Sequence, residues 1–164
     1  HGATVTSSKD VNEEGNAVKK SVTVALTAEP ADSRSGTPTV YLGLDADGKV
    51  IQAGYSAATA SLGYGSLSFA DAVKNEHIVE KTLREAGVNV TDGSAKLPSD
   101  KTSYSTYASD GTTLVKENCS FNGSVDINGA AHTWSSVLMY DYSTANASGN
   151  LADTVRIIYI YINA

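Results

Sequence analysis

Alternation of apolar and polar residues with a period of two recurs along this chain and limits its fold more than any other feature. In VKKSVTVALTAEP, residues 18–30, every second residue from Val18 to Ala28 forms one row that is apolar except for Lys20. A strand that buries one row of side chains and exposes the other has this pattern. The sequence therefore predicts a strand over 18–28, close to the start of the chain.

Turn signals containing glycine separate further apolar runs and predict hairpins. Asp47-Gly48 joins a run at 39–44 to a run at 49–55, and glycine tolerates the positive φ that tight hairpin turns require. Two more turns are predicted at Asp110-Gly111 and Asn128-Gly129. The strands predicted around them lie at 112–118, 120–127 and 130–142.

The chain closes with a predicted strand that is apolar on both sides. One row holds Val155, Ile157, Tyr159 and Tyr161, and the other holds Ile158, Ile160 and Ile162. A strand of this kind left at the edge of a sheet promotes aggregation. We therefore expect another strand to pair with it or another element to cover it.

One segment departs from the period of two. Apolar residues between 69 and 86 recur near helical spacing and predict a helix there, with Ser68 as the N-cap, Asp71 as the third helical residue and Gly87 as the stop. The following segment, 91–109, is predicted as a loop with room for one edge strand. The fold class expected from these patterns is mainly β with one helical insertion.

Length and charge restrict the classes of function. The length of 164 residues predicts one domain over 1–164. The first part of it, 1–17, is predicted to be a polar arm. A net charge of -6 makes nucleic acid and anionic membranes improbable partners, and no apolar run is long enough for membrane insertion. Cys119 is the only cysteine, which excludes an internal disulfide. The abundance of Ser and Thr is typical of bacterial cell-surface proteins.

The sequence holds no motif of an enzyme active site, so no catalytic residue and no cofactor are predicted. One metal alternative remains. A mature N-terminal histidine can bind copper through its amino group and its ring, with a second imidazole completing the site. His1 and His132 are the residues for such a copper-binding protein or polysaccharide oxygenase.

The segment at 18–30 resembles the N-terminal segment of the major subunits of colonisation-factor fimbriae, the alternate-chaperone class of chaperone-usher pili. The residues that carry the resemblance are Val18, Lys20, Val22, Val24 and the pair Glu29-Pro30. The closing segment SGNLADTVRIIYIYI is similar to the last strand of chaperone-usher subunits. The chain is thus interpreted as a chaperone-usher pilus subunit.

This resemblance implies an incomplete immunoglobulin-like β-sandwich whose groove is filled first by a periplasmic chaperone and then by a strand of the next copy. It implies a secreted structural subunit of a fimbria, with neighbouring copies, chaperone and usher as partners, and is compatible with adhesion to a host receptor. The donor-strand residues would be Val18, Val22, Val24 and Leu26. The last strand, with Val155, Ile157, Ile158, Ile160 and Ile162, would line the groove.

Three other interpretations remain open. Residues 18–28 could be the first strand of an ordinary closed sandwich. A Gram-positive pilin or surface domain would join Lys19 or Lys20 to Asn163 through an isopeptide bond. A carbohydrate- or protein-binding sandwich would use Trp134, Tyr140 and Tyr142 as a stacking platform, although their common row also suits core packing.

Overall fold

A computed structural model describes residues 4–26, 38–59 and 68–164 of the chain, and in these ranges the fold is mainly β. All strands lie in one antiparallel sheet with the order β1-β2-β3-β4-β8-β7-β6-β5. The strands are β1 (Thr4–Asp10), β2 (Lys20–Ala25), β3 (Thr39–Leu44), β4 (Val50–Ala58), β5 (Ser105–Tyr107), β6 (Leu114–Ile127), β7 (Ala130–Asp141) and β8 (Val155–Asn163).

The strand pairings confirm the predicted hairpins at Asp47-Gly48 and Asn128-Gly129. β3 pairs with β4 across the turn at Asp47-Gly48. β6 pairs with β7 across Asn128 and Gly129, whose φ values of 53° and 81° suit a tight hairpin turn. The strands predicted separately at 112–118 and 120–127 form one continuous strand, β6.

The prediction of one helix over 69–86 is wrong in its continuity. The segment forms two helices, α1 (Phe69–Lys74) and α2 (Ile78–Glu85), and a third helix, α3 (Ser143–Ser148), was not predicted. The break lies at His77, which has a left-handed φ of 51°. The predicted N-cap is confirmed, since Ser68 Oγ accepts a hydrogen bond from the Asp71 N–H at 3.2 Å.

The strand β1 arises inside the segment that the sequence analysis treated as a polar arm. Residues Thr4–Asp10 pair antiparallel with β2, from Thr4 opposite Ala25 to Asp10 opposite Lys20. Most of β1 is exposed on both sides, which explains why its sequence, TVTSSKD, lacks an apolar row. Lys20–Ala25 of the donor-strand segment therefore form the second strand of the sheet, and residues 27–30 lie outside the described ranges.

The core lies between one face of the sheet and the helices α1 and α2. Phe69 packs its ring edge-to-face on Tyr140, with ring centroids 5.3 Å apart, and stacks on Tyr104 at 5.5 Å. Leu83 of α2 and Leu138 and Ile158 of the sheet are fully buried in the same cluster. In the described part of the chain, helices rather than a second sheet form the layer that faces the sheet.

Candidate functional site

The outer edge of β6 is the feature with the clearest capacity to bind another chain. β6 has 14 residues, but its outer neighbour β5 has three and pairs only between Leu114 and Glu117. One further bond, from the Asn118 N–H to the Tyr104 carbonyl, is 2.9 Å long. Beyond it, no other strand within the described ranges pairs with the outer side of β6 as far as Ile127. We call Ser120–Ile127 the open edge.

The backbone groups of the open edge that point away from β7 follow from the register. In an antiparallel strand, successive residues direct their N–H and C=O groups to opposite sides. The Asn118 N–H points outward, and the pairing of β6 with β7 has no irregularity from Lys116 to Ile127. The residues of the open edge whose N–H and C=O groups point away from β7 are therefore Ser120, Asn122, Ser124 and Asp126.

The open edge lacks the devices that usually protect an edge strand. Natural edge strands carry lysine, proline or a bulge, which discourage pairing with another chain. Between Ser120 and Ile127 there is no lysine, no proline and no bulge, and Asp126 is the only charged residue. The side chains alternate, with buried Phe121 and half-buried Val125 on the core side and exposed polar residues on the other. Among the described residues, this edge thus has the features of one that pairs with another strand.

The opposite edge of the sheet is the outer side of β1. A register shift between Val5 and Ser7 marks a bulge there, and Lys9 lies near its end. The Val5 side chain is 61% exposed. The sheet thus presents two different edges, one flat and one partly protected.

A buried carboxylate anchors the covered end of β6. Glu117 is 6% exposed and accepts a hydrogen bond from the Tyr142 hydroxyl at 2.5 Å. Burial, and then this bond to an acidic neighbour, hold the pKa of Tyr142 far above its usual value. The Tyr142 N–H also donates to the Val115 carbonyl at 2.8 Å. These contacts fix the strand just before its open edge begins.

The predicted donor-strand residues lie in or beside an interior strand. Val22 and Val24 belong to β2, which pairs with β1 on one side and β3 on the other. Val18 precedes β2 and does not share their row, because its side chain lies beside Gly43, on the opposite face. Leu26 follows β2 and donates its N–H to the Pro38 carbonyl.

The predicted groove residues lie in β8, between β4 and β7. Ile158 and Ile160 are buried on the side of the helices, whereas Val155, Ile157 and Ile162 are half-buried. Both edges of β8 are thus paired with strands of the same chain. Its expected role in lining an assembly groove stays a prediction.

The structure does not bring together the residues of the isopeptide alternative. Three strand spacings separate β2 from β8, or about 14 Å, which exceeds the reach of Lys19 or Lys20. The Asn163 side chain is also engaged, since its Oδ1 accepts a hydrogen bond from Gln52 and its Nδ2 donates to Thr133.

One of the two ligands in the copper alternative, His1, lies outside the described ranges. The other, His132, is half-buried on β7, and its Nδ1 is 3.0 Å from the Asn163 carbonyl oxygen. Because that contact suits an Nδ1–H donor, the Nε2 of His132 is the nitrogen with the capacity to bind a metal.

The predicted stacking platform is largely core. Trp134 is 2% exposed and Tyr140 is fully buried, so neither offers a ring face to a ligand. On the other face of the sheet, the half-buried Tyr41, Tyr159 and Tyr161 line a depression of about 480 Å³. A Cβ added to Gly54 would lie 2.7 Å from the Tyr161 ring, so this glycine makes room for it. Sequence analysis assigned Tyr159 and Tyr161 to one row but missed Tyr41.

Comparison with protein-family models, with curated proteins and with solved structures gives no match to this chain. None of the helices in the described part has the length and apolar character needed to cross a membrane. The functional interpretation therefore rests on the sheet and its edges.

Proposed function

We propose that this chain is a non-enzymatic structural subunit of an extracellular fibre, similar to a fimbria, that assembles by β-strand addition. The observation that carries the proposal is the open edge, Ser120–Ile127 of β6, which lies beside a packed core and has no protecting residue apart from Asp126. Strand addition gains affinity from main-chain hydrogen bonds and specificity from alternate side chains.

The arrangement of edges favours a polymer over a closed dimer. β1 and the β5–β6 side lie at opposite ends of one sheet. If β1 of one copy pairs with the open edge of the next, the contact joins two different surfaces, and such a contact repeats without limit unless the rotation closes a ring. The sheet would then continue through successive subunits.

The donor role predicted for Val18, Val22, Val24 and Leu26 has a place in this proposal. β2 stays in its own sheet, paired with β1, and so supports the strand that meets the next copy. The immunoglobulin-like sandwich is part of the same proposal. A neighbouring copy would supply its second layer, over the half-buried face of Val22, Val40 and Leu42.

The partners follow from the same edge. A periplasmic chaperone would pair with the open edge before assembly and keep the subunit soluble, and an usher would release it to the next copy. Adhesion to a host receptor is part of the proposal. The depression lined by Tyr41, Tyr159 and Tyr161 is the surface that such a receptor would contact.

The proposal is tested by Ser124→Pro, with Ser124→Ala as the matched control. Proline at an outward-pointing position removes an N–H from the open edge but leaves the ladder with β7 in place. At high concentration the wild type and Ser124→Ala are expected to form polymers that resist mild denaturant, whereas Ser124→Pro stays monomeric, as measured by light scattering and electron microscopy. Equal assembly of all three variants, or a wild type that remains monomeric, would contradict the proposal.

A further inference from the structure

Three potential metal ligands meet at the start of α2, far from the open edge in the sequence. They are a ring nitrogen of His77, a carboxylate oxygen of Glu80 and a carboxylate oxygen of Asp92, which lie within 4.8 Å of one another. Glu80 belongs to the first turn of α2, and Asp92 lies in the loop that follows this helix. An imidazole and two carboxylates form a ligand set that suits Zn²⁺ and related divalent ions.

Glu80 is unusual because it is a fully buried carboxylate with one unsatisfied oxygen. Its exposed fraction is 0%, and its Oε1 accepts a hydrogen bond from the Ala95 N–H at 3.0 Å. Its Oε2 has no hydrogen-bond partner. Burying a charged oxygen without a partner is costly, so such an atom requires an explanation.

His77 Nδ1 lies 3.3 Å from Glu80 Oε2. A charge-assisted hydrogen bond between nitrogen and oxygen is normally about 2.7–2.9 Å long. Two ligand atoms on one tetrahedral zinc ion, each about 2.0–2.2 Å from the metal, lie roughly 3.3–3.5 Å apart. The separation of 3.3 Å thus fits two ligands of a shared cation.

The third ligand is oriented by a neighbouring guanidinium. Arg84 Nη2 lies 2.9 Å from Asp92 Oδ1, and the Asp92 side chain is 50% exposed. A carboxylate has two oxygens, so Arg84 can hold one while the other binds a metal, as outer-shell partners commonly do. The Asp92 side chain is half exposed, so an ion can reach it from solvent.

The backbone at His77 supports a built site. His77 has φ 51° and ψ 45°, and this left-handed conformation in a residue other than glycine is uncommon and carries strain. Its side chain makes no capping hydrogen bond to α2. The conformation breaks the helix and places the imidazole next to the first turn of α2.

The geometry points to a divalent-cation site, occupied by Zn²⁺ or an ion of similar ligand preference, formed by His77 Nδ1, Glu80 Oε2 and Asp92. The bound ion joins the start of α2 to the loop after it. Its role is structural, since this loop supplies Val88, Val90 and Ala95 to the core cluster. The ion thus fastens the helical cover to the sheet.

The test is titration of the intact chain with ZnCl₂, followed by calorimetry, thermal unfolding and the imidazole resonances of ¹⁵N-labelled protein. The wild type is expected to bind Zn²⁺, to unfold at a higher temperature with it, and to show shifted resonances for His77. Asp92→Asn and Glu80→Gln should each weaken binding at least about tenfold, a loss seen even for outer-shell partners. Asp92 is half exposed, so its variant tests the site even where Glu80→Gln fails to fold.

Two control variants separate this site from other ligands in the chain. Glu76→Gln changes an exposed carboxylate next to the site that pairs with Lys81, at 3.6 Å. His132→Gln removes a histidine elsewhere in the sheet. Both controls should bind Zn²⁺ as the wild type does. If Zn²⁺ shifts only the resonances of His1 or His132, or if Asp92→Asn binds as tightly as the wild type, the site does not exist.

Discussion

Within the described ranges, the two halves of the sheet differ in which residues cover them. β6, β7 and β8 lie beneath α1 and α2, and residues such as Leu138 and Ile158 are fully buried there. On the same side of β2 and β3, Val22, Val40 and Leu42 are half-buried and lie outside the core cluster. The alternation of the sequence is as regular in one half as in the other. Alternation thus identifies strands, but it does not show on which strands the helices pack.

The comparison predicts that a leucine-to-alanine change has very different effects in the two halves. Leu138→Ala should lower the free energy of unfolding by about 3–4 kcal/mol, because it leaves a cavity in a packed core. Leu42→Ala should lower it by only about 1 kcal/mol, because part of the side chain is already in water and Leu42 lies outside the core cluster. Urea unfolding of both variants, monitored by circular dichroism, measures the difference. Equal losses would mean that β2 and β3 have a packed core of their own.

Alkaline pH should lower the stability of the fold through the tyrosines buried between the sheet and the helices. Burial raises the pKa of Tyr104, Tyr140 and Tyr142 in the folded chain, and Glu117 adds to the effect at Tyr142. In the unfolded chain tyrosine ionises near about pH 10. A raised folded-state pKa therefore stabilises the fold fully below about pH 10, and this contribution is lost as the pH rises further.

Tyrosinate absorbance and circular dichroism, followed together through an alkaline titration, measure this coupling. The absorbance of the buried tyrosines should appear only as the fold is lost, and Tyr142→Phe should weaken the dependence of stability on pH. Ionisation of Tyr104, Tyr140 and Tyr142 while the dichroism is unchanged would contradict the assignment of these side chains to the core.

Sequence reasoning succeeded where the signal is local. The turn at Asn128-Gly129 and the cap at Ser68 depend on a few adjacent residues, and both are confirmed. The break at His77 was missed because apolar spacing continues through it and no glycine or proline marks it. β1 was missed because it has no apolar row.

The open edge could not be found from the sequence, because it depends on the order of strands. β6 has the same alternation as an interior strand, and the short length of β5 leaves its outer side without a strand neighbour among the described residues. The cluster of His77, Glu80 and Asp92 was missed for a related reason. No motif in the sequence marks His77 or Glu80 as ligands, and the sequence does not show that Glu80 is fully buried.

Mixed-disulfide trapping between two single-cysteine variants tests strand addition at the open edge most directly. With Cys119 replaced by serine in every variant, Asn122→Cys places a thiol on the open edge, Ser7→Cys places one on β1, and Ser135→Cys places one on an interior strand as the control. A mixture of the first two variants is expected to form the mixed disulfide well above the level reached with the control. Equal yields with Ser7→Cys and Ser135→Cys would contradict head-to-tail pairing of β1 with β6.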